Sequence, residues 1–245
     1  MNKETWDAFA AARARCKAYI DSLSRSLPDL REYQQALVDG RPGPAYTVET
    51  PVLYNSALDE LTQDDEIRLI LVADNPGRRE QAAENRRYLI GPSGKIADRF
   101  FREHPELGID FRRQAIVLNK TPVHTPRTGE LKELCRAGGP ALARAVSESQ
   151  RFMAALLPEL QRALPSVPVW ITGYSEMKKG GVFEAYAEYL KSRYPDSLRE
   201  RLFLYRHFSM NQFTVDLRRQ AAPGESLRET LERIGRAYRL RILGW

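Results

Sequence analysis

The chain has 245 residues, 42% hydrophobic and 29% charged, enough for one large domain or two small ones with a sizeable core. Its net charge of +6 and isoelectric point near 9.4 favour a polyanionic partner, because clustered Lys and Arg bind phosphates and release counterions. Cys16 and Cys135 are the only cysteines and there are three histidines, which argues against a disulfide framework, a zinc site or an iron–sulfur centre.

The N-terminal segment MNKETWDAF has no apolar core, so no signal peptide is expected, and two reduced thiols suit the cytoplasm. No run approaches the ~18 apolar residues of a membrane span. From Thr5 to about Leu23, Trp6, Phe9, Cys16, Tyr19, Ile20 and Leu23 recur at helical spacing. A second helix is expected from Pro28 to Gly40, followed by the linker Arg41-Pro42-Gly43-Pro44. Strand and helix then alternate. Strands are expected at Ile67–Val72, Ala115–Leu118, Val167–Thr172 and Leu202–Tyr205. Helices are expected from near Ser93, over about Ala141–Leu164 and Val182–Ser192, and after the capping box Ser226-Leu227-Arg228-Glu229.

Strands separated by helix-length segments imply right-handed crossovers. The expected fold is α/β: a three-layer α/β/α arrangement with a central four-stranded parallel sheet, plus N-terminal helices. A single domain over residues 1–245 is expected, with a helical extension at 1–40 and the α/β core at 48–217. Such sheets bind ligands beyond the carboxyl ends of their strands. There the sequence places Asp74-Asn75-Pro76-Gly77, Asn119-Lys120-Thr121-Pro122, Thr172-Gly173-Tyr174-Ser175 and Arg206-His207-Phe208-Ser209.

Three segments resemble motifs of the uracil-DNA glycosylase superfamily, over roughly residues 48–217. Ala73-Asp74-Asn75-Pro76-Gly77 is similar to the water-activating motif that reads GQDPY, GINPG, GMNPG or GEAPG in different branches. Leu89-Ile90-Gly91-Pro92-Ser93-Gly94 is similar to the segment lining the base pocket, and His207-Phe208-Ser209 to the HPS motif after the last strand. Asn119 matches the asparagine that reads the base.

The resemblance implies a cofactor-free, monomeric enzyme that flips uracil or a related damaged base out of DNA and hydrolyses its N-glycosidic bond. Asn75 would position the water, with Asp74 as a substitute base, as in the GEAPG branch. An amide cannot take up a proton at neutral pH, so Asn75 would orient water rather than activate it. Asn119 would read the N3–H and O4 edge of the ring, and His207 would donate to O2 as charge develops there. Tyr88 and Leu89 stand where relatives stack an aromatic on the base, with Gly91 and Ser93 beside them and Ser209 at a flanking phosphate. Met210 or Phe213 would enter the duplex as a wedge; Phe213 has the alternative of returning the chain to the core. Arg86-Arg87 would hold DNA or form a solvated face. Gly91-Pro92-Ser93-Gly94-Lys95 lacks the GxxxxGK[ST] spacing of a nucleotide-triphosphate loop. His104 and His124 carry no assigned role. Two other readings remain: a weak or inactive member that binds DNA or a nucleobase, and a hydrolase of free nucleosides.

Overall fold

The computed structural model describes all residues, 1–245. The apolar runs form four short strands: β1 (Leu69–Ala73), β2 (Ala115–Asn119), β3 (Val169–Thr172) and β4 (Leu202–Tyr205). All pair in parallel, in the order β2-β1-β3-β4. The fold is a three-layer α/β/α sandwich, as the alternation of elements implies.

Alternation of side chains along each strand sorts the core into two layers. Ile70, Val72, Ile116, Leu118, Val169, Ile171, Leu202 and Leu204 face one side. They meet α1 (Lys3–Ser26), α6 (Gly139–Ala163) and α7 (Glu184–Arg193). Leu69, Leu71, Val117, Trp170, Phe203 and Tyr205 face the other, against Phe100 and Phe101 of α3 (Pro92–Glu103) and Leu231 and Ile234 of α9 (Leu227–Leu243). Each buried Leu, Ile or Phe contributes about 1.5–3 kcal/mol, so these layers outweigh any single polar contact in holding the sheet. The N-terminal helix belongs to this core: its residues Phe9, Cys16 and Ile20 are buried with the α6 side chains.

Several boundaries differ from the sequence expectations. The second helix, α2 (Leu30–Asp39), starts two residues later than Pro28. β3 starts after Pro168, which needs only its carbonyl there: that oxygen accepts from Ile70 N at 3.0 Å. A short α4 (Phe111–Gln114) precedes β2, and α5 (Leu131–Ala137) is separated from α6 where Gly139 takes φ +71°. α8 (Gln212–Gln220) follows the His207 segment.

Topology fixes where a ligand can enter. The chain goes from β1 outward to β2, then crosses back to β3 on the other side of β1. The crossovers diverge at β1 and β3, which opens a crevice at their carboxyl ends. Register brings the strand ends level, with Ala73 opposite Asn119 and Thr172 opposite Tyr205.

Candidate active site

One cleft of about 1510 Å³ opens at that crevice. Asp74, Asn75, Leu89, Gly91, Ser93, Asn119, His207, Ser209 and Met210 all line it. Residues from four separate parts of the sequence therefore converge on one cavity.

Asp74, directly after β1, is 8% exposed. Its Oδ1 accepts from Lys120 Nζ at 2.6 Å, and Oδ2 from Thr128 Oγ1 at 3.3 Å. Lys120 has no exposed surface. Its ammonium also donates to Thr172 O at 2.5 Å and Ala73 O at 3.3 Å, so three donors meet three acceptors. Burial pushes the Lys120 pKa down, and the Asp74 carboxylate opposes that shift. Gly173 permits the geometry: at φ +78°, a Cβ there would lie 2.3 Å from Asp74 Oδ1. Lys120 went unremarked in the sequence because a charged residue after a strand ordinarily points to water. Only the register of β1 against β2 reveals the carboxylate waiting beside it.

Asn75 is oriented by two acceptors. Its Nδ2 donates to Thr125 Oγ1 at 2.8 Å and to Val123 O at 3.2 Å, which leaves Oδ1 without a protein partner. The turn beneath it is braced by buried His124. The Nδ1 of that ring lies 2.8 Å from Pro76 O and its Nε2 lies 3.0 Å from Tyr46 Oη. A carbonyl can only accept, so Nδ1 donates and Nε2 accepts from the tyrosine.

Burial pushes His124 down to about 4, with the Pro76 carbonyl opposing. The unfolded chain takes up a proton near pH 6.5 that the folded ring refuses, so stability is lost as pH falls from about 6.5 to about 4. The loss from this group is expected to approach about 3 kcal/mol. Denaturant titrations at pH 7 and pH 4.5 on wild type and His124→Gln check it; the variant should show the shallower decline.

Asn119 closes β2 with 1% exposure, and its Nδ2 has no hydrogen-bond partner anywhere in the protein. An unmade buried amide hydrogen bond costs about 1–3 kcal/mol, so this donor favours an acceptor from a water or ligand in the cleft. His207 is half-buried. Ser209 N donates to its Nδ1 at 3.1 Å, which places the ring proton on Nε2. Burial lowers its pKa below 6.5 and Lys120 adds to that, while Asp74 opposes it. The ring is a neutral donor at pH 7.

Loop 89–91 forms the facing wall. Leu89 sits at φ +51°, a conformation costly for a non-glycine residue. Its carbonyl accepts from Arg112 at 3.0 Å, and it crowds Gly94 so closely that a Cβ there would meet Leu89 O at 1.5 Å. Glu80 lies beneath this loop and was missed in the sequence, where it reads as one more charge in Arg78-Arg79-Glu80. The segment 45–50, read only as chain after a linker, supplies a further wall through Tyr46, Thr47 and Glu49.

Two expected site residues lie elsewhere. Tyr88 is 4% exposed, packs in the core and donates its hydroxyl to Leu53 O, so it faces away from the cleft. Phe213 is 3% exposed and stacks on Phe208 at 4.4 Å between centroids, with Trp170 at 6.0 Å. An aromatic so enclosed cannot enter a duplex. Met210 remains at the rim, 80% exposed on a turn where it and Asn211 both take positive φ. Phe213→Ala should cost about 3–5 kcal/mol of stability and Met210→Ala less than about 0.5 kcal/mol, measured by urea unfolding.

The cleft walls carry mixed charge: Arg78, Arg79, Arg87 and Arg127 alternate with Glu49, Glu80, Glu84 and Glu176. No group of His, Cys, Asp and Glu is placed to hold a metal ion, and no helix is long and apolar enough to cross a membrane. No protein-family model matches the chain, and no curated protein matches it either.

Proposed function

We propose that this protein is a DNA glycosylase that hydrolyses the N-glycosidic bond of uracil or a related damaged base. Asn119 carries the reading: a buried amide without a partner, at a strand end, lining the same cleft as an oriented asparagine and a neutral histidine donor. Its oxygen and free Nδ2 match the N3–H donor and O4 acceptor of a uracil edge. In the reaction a water oxygen bonds to C1′ as the C1′–N bond breaks. The base leaves as an anion with the bonding pair, and the proton that the water gives up passes through solvent to the departed base.

Asn75 Oδ1 would accept from that water and fix its approach. His207 Nε2–H would stabilise the anion growing on O2, and its neutrality avoids simple proton donation to the base. His207→Ala is expected to lower kcat about 10²-fold with the fold intact, measured by base release under saturating DNA. Asp74 is given a positional role, because Lys120 and Thr128 already engage both carboxylate oxygens. Leu89 in the wall and Met210 on the rim would cover the flipped base and fill the gap left in the stack. The rim arginines would meet phosphates on either side.

One observation favours a second reading, a DNA- or nucleobase-binding protein that cleaves nothing. Every carboxylate oxygen of Asp74 is engaged and Asn75 cannot take up a proton, so the turn after β1 offers no ready base. The two readings separate in one experiment. Salt-sensitive binding to uracil-containing DNA without base release selects the second, and base release selects the first.

A further inference from the structure

Glu80 is a buried carboxylate, 7% exposed, that the reaction scheme leaves unused. Its Oε2 accepts from Gly77 N at 3.0 Å, in the turn that carries Asn75. The backbone N–H groups of Leu89, Ile90 and Gly91, in the opposite wall of the same cleft, also favour its ionised form. One anion thus gathers amides from both loops that would enclose a base. The strained φ of Leu89 needs such support, since Arg112 restrains only its carbonyl.

We infer that Glu80 is a positioning residue whose carboxylate clamps loop 89–91 against the turn 75–77 and so sets the width of the base pocket. This rests on the glycosylase reading for its consequence but not for its geometry. The ionised form accepts from Gly77 N and attracts the amides of loop 89–91. The protonated form carries an O–H that confronts N–H groups, and the clamp slackens.

Burial raises Glu80 to about 7, with the Gly77, Leu89, Ile90 and Gly91 amides opposing. Surrounding charged or titratable groups are Arg78 and Arg79 on its own turn, Glu84 and Arg87 on the next, Glu49 and Tyr46 across the cleft and Tyr88 behind the loop. The folded pKa lies above the unfolded value near 4.5, so folding binds more protons in between. Stability from this group is therefore full below about 4.5 and lost as pH rises towards 7. Pocket closure runs the opposite way: it improves as Glu80 ionises. A carboxylate serving the fold alone would not give opposite pH trends for stability and activity.

The test compares wild type, Glu80→Gln and Glu80→Asp, each checked for folding by circular dichroism. Amide hydrogen exchange of residues 89–91 in the free protein should quicken at least about tenfold in Glu80→Gln at pH 8. At pH 5.5, where wild-type Glu80 is itself protonated, the two should nearly coincide. Glu80→Asp, which keeps the charge, should recover part of the protection at pH 8. The wild-type to Glu80→Gln ratio of kcat/KM for base release should climb from near one at pH 5.5 to about tenfold at pH 8.5, while their stability difference shifts in favour of Glu80→Gln. Unchanged exchange in Glu80→Gln overturns the clamp. Faster exchange with an unchanged, pH-independent rate ratio overturns its positioning role. If wild type releases no base, the glycosylase reading fails, and the exchange data alone decide whether the clamp stands.

Discussion

Asn119→Ala is expected to lower kcat/KM for uracil release by about 10²–10³-fold and, at the same time, to raise the stability of the free protein by about 1 kcal/mol. Both effects come from the same atom. The Nδ2 of Asn119 is buried without a partner, so the folded protein carries its desolvation cost until a ligand supplies an acceptor. Alanine removes the cost and the recognition together. Thermal unfolding and base-release kinetics on one preparation check the pair. A purely structural asparagine would move the other way: stability would fall and the rate would follow it.

The second large effect is at Lys120. Lys120→Met leaves the Asp74 carboxylate buried with only Thr128 beside it, and is expected to cost about 3–5 kcal/mol. Adding Asp74→Asn to that variant removes the stranded charge, and about half of the lost stability should return. The double-mutant cycle, read by denaturant unfolding, separates the ion pair from simple loss of packing against Phe183, whose ring centroid lies 4.8 Å from Nζ. Activity supplies the second readout. If Asp74 only positions, the double variant keeps measurable base release wherever it remains folded. Release abolished in a folded double variant would make Asp74 a participant in the chemistry.

Much of this was legible in the sequence for a physical reason. Buried parallel strands must be apolar along their length, so Leu69–Ala73 and Ala115–Asn119 announce themselves, and each stops where polar groups begin. Strand ends then collect at one edge by topology, which is why Asn75, Asn119 and His207 could be grouped without coordinates. What could not be read was which way side chains turn near the strand ends. Tyr88 and Leu89 are neighbours in sequence and buried in the same core layer, yet only Leu89, at positive φ, also lines the cleft. Met210 and Phe213 part in the same way once Met210 and Asn211 both adopt positive φ. Lys120 and Glu80 escaped notice for another reason. Their partners, Asp74 and a set of backbone amides, are brought close by register and loop path, which no local pattern encodes.

The measurement that bears most directly on the function is a panel of oligonucleotides carrying uracil, hypoxanthine, xanthine or an alkylated base. Each is incubated with the protein and then treated with alkali to break the strand at any abasic site. Strand breakage at uracil or a related damaged base, lost in Asn119→Ala and His207→Ala, is the expected result. Intact strands across the whole panel, from wild-type protein that is folded and binds the same DNA, would contradict it.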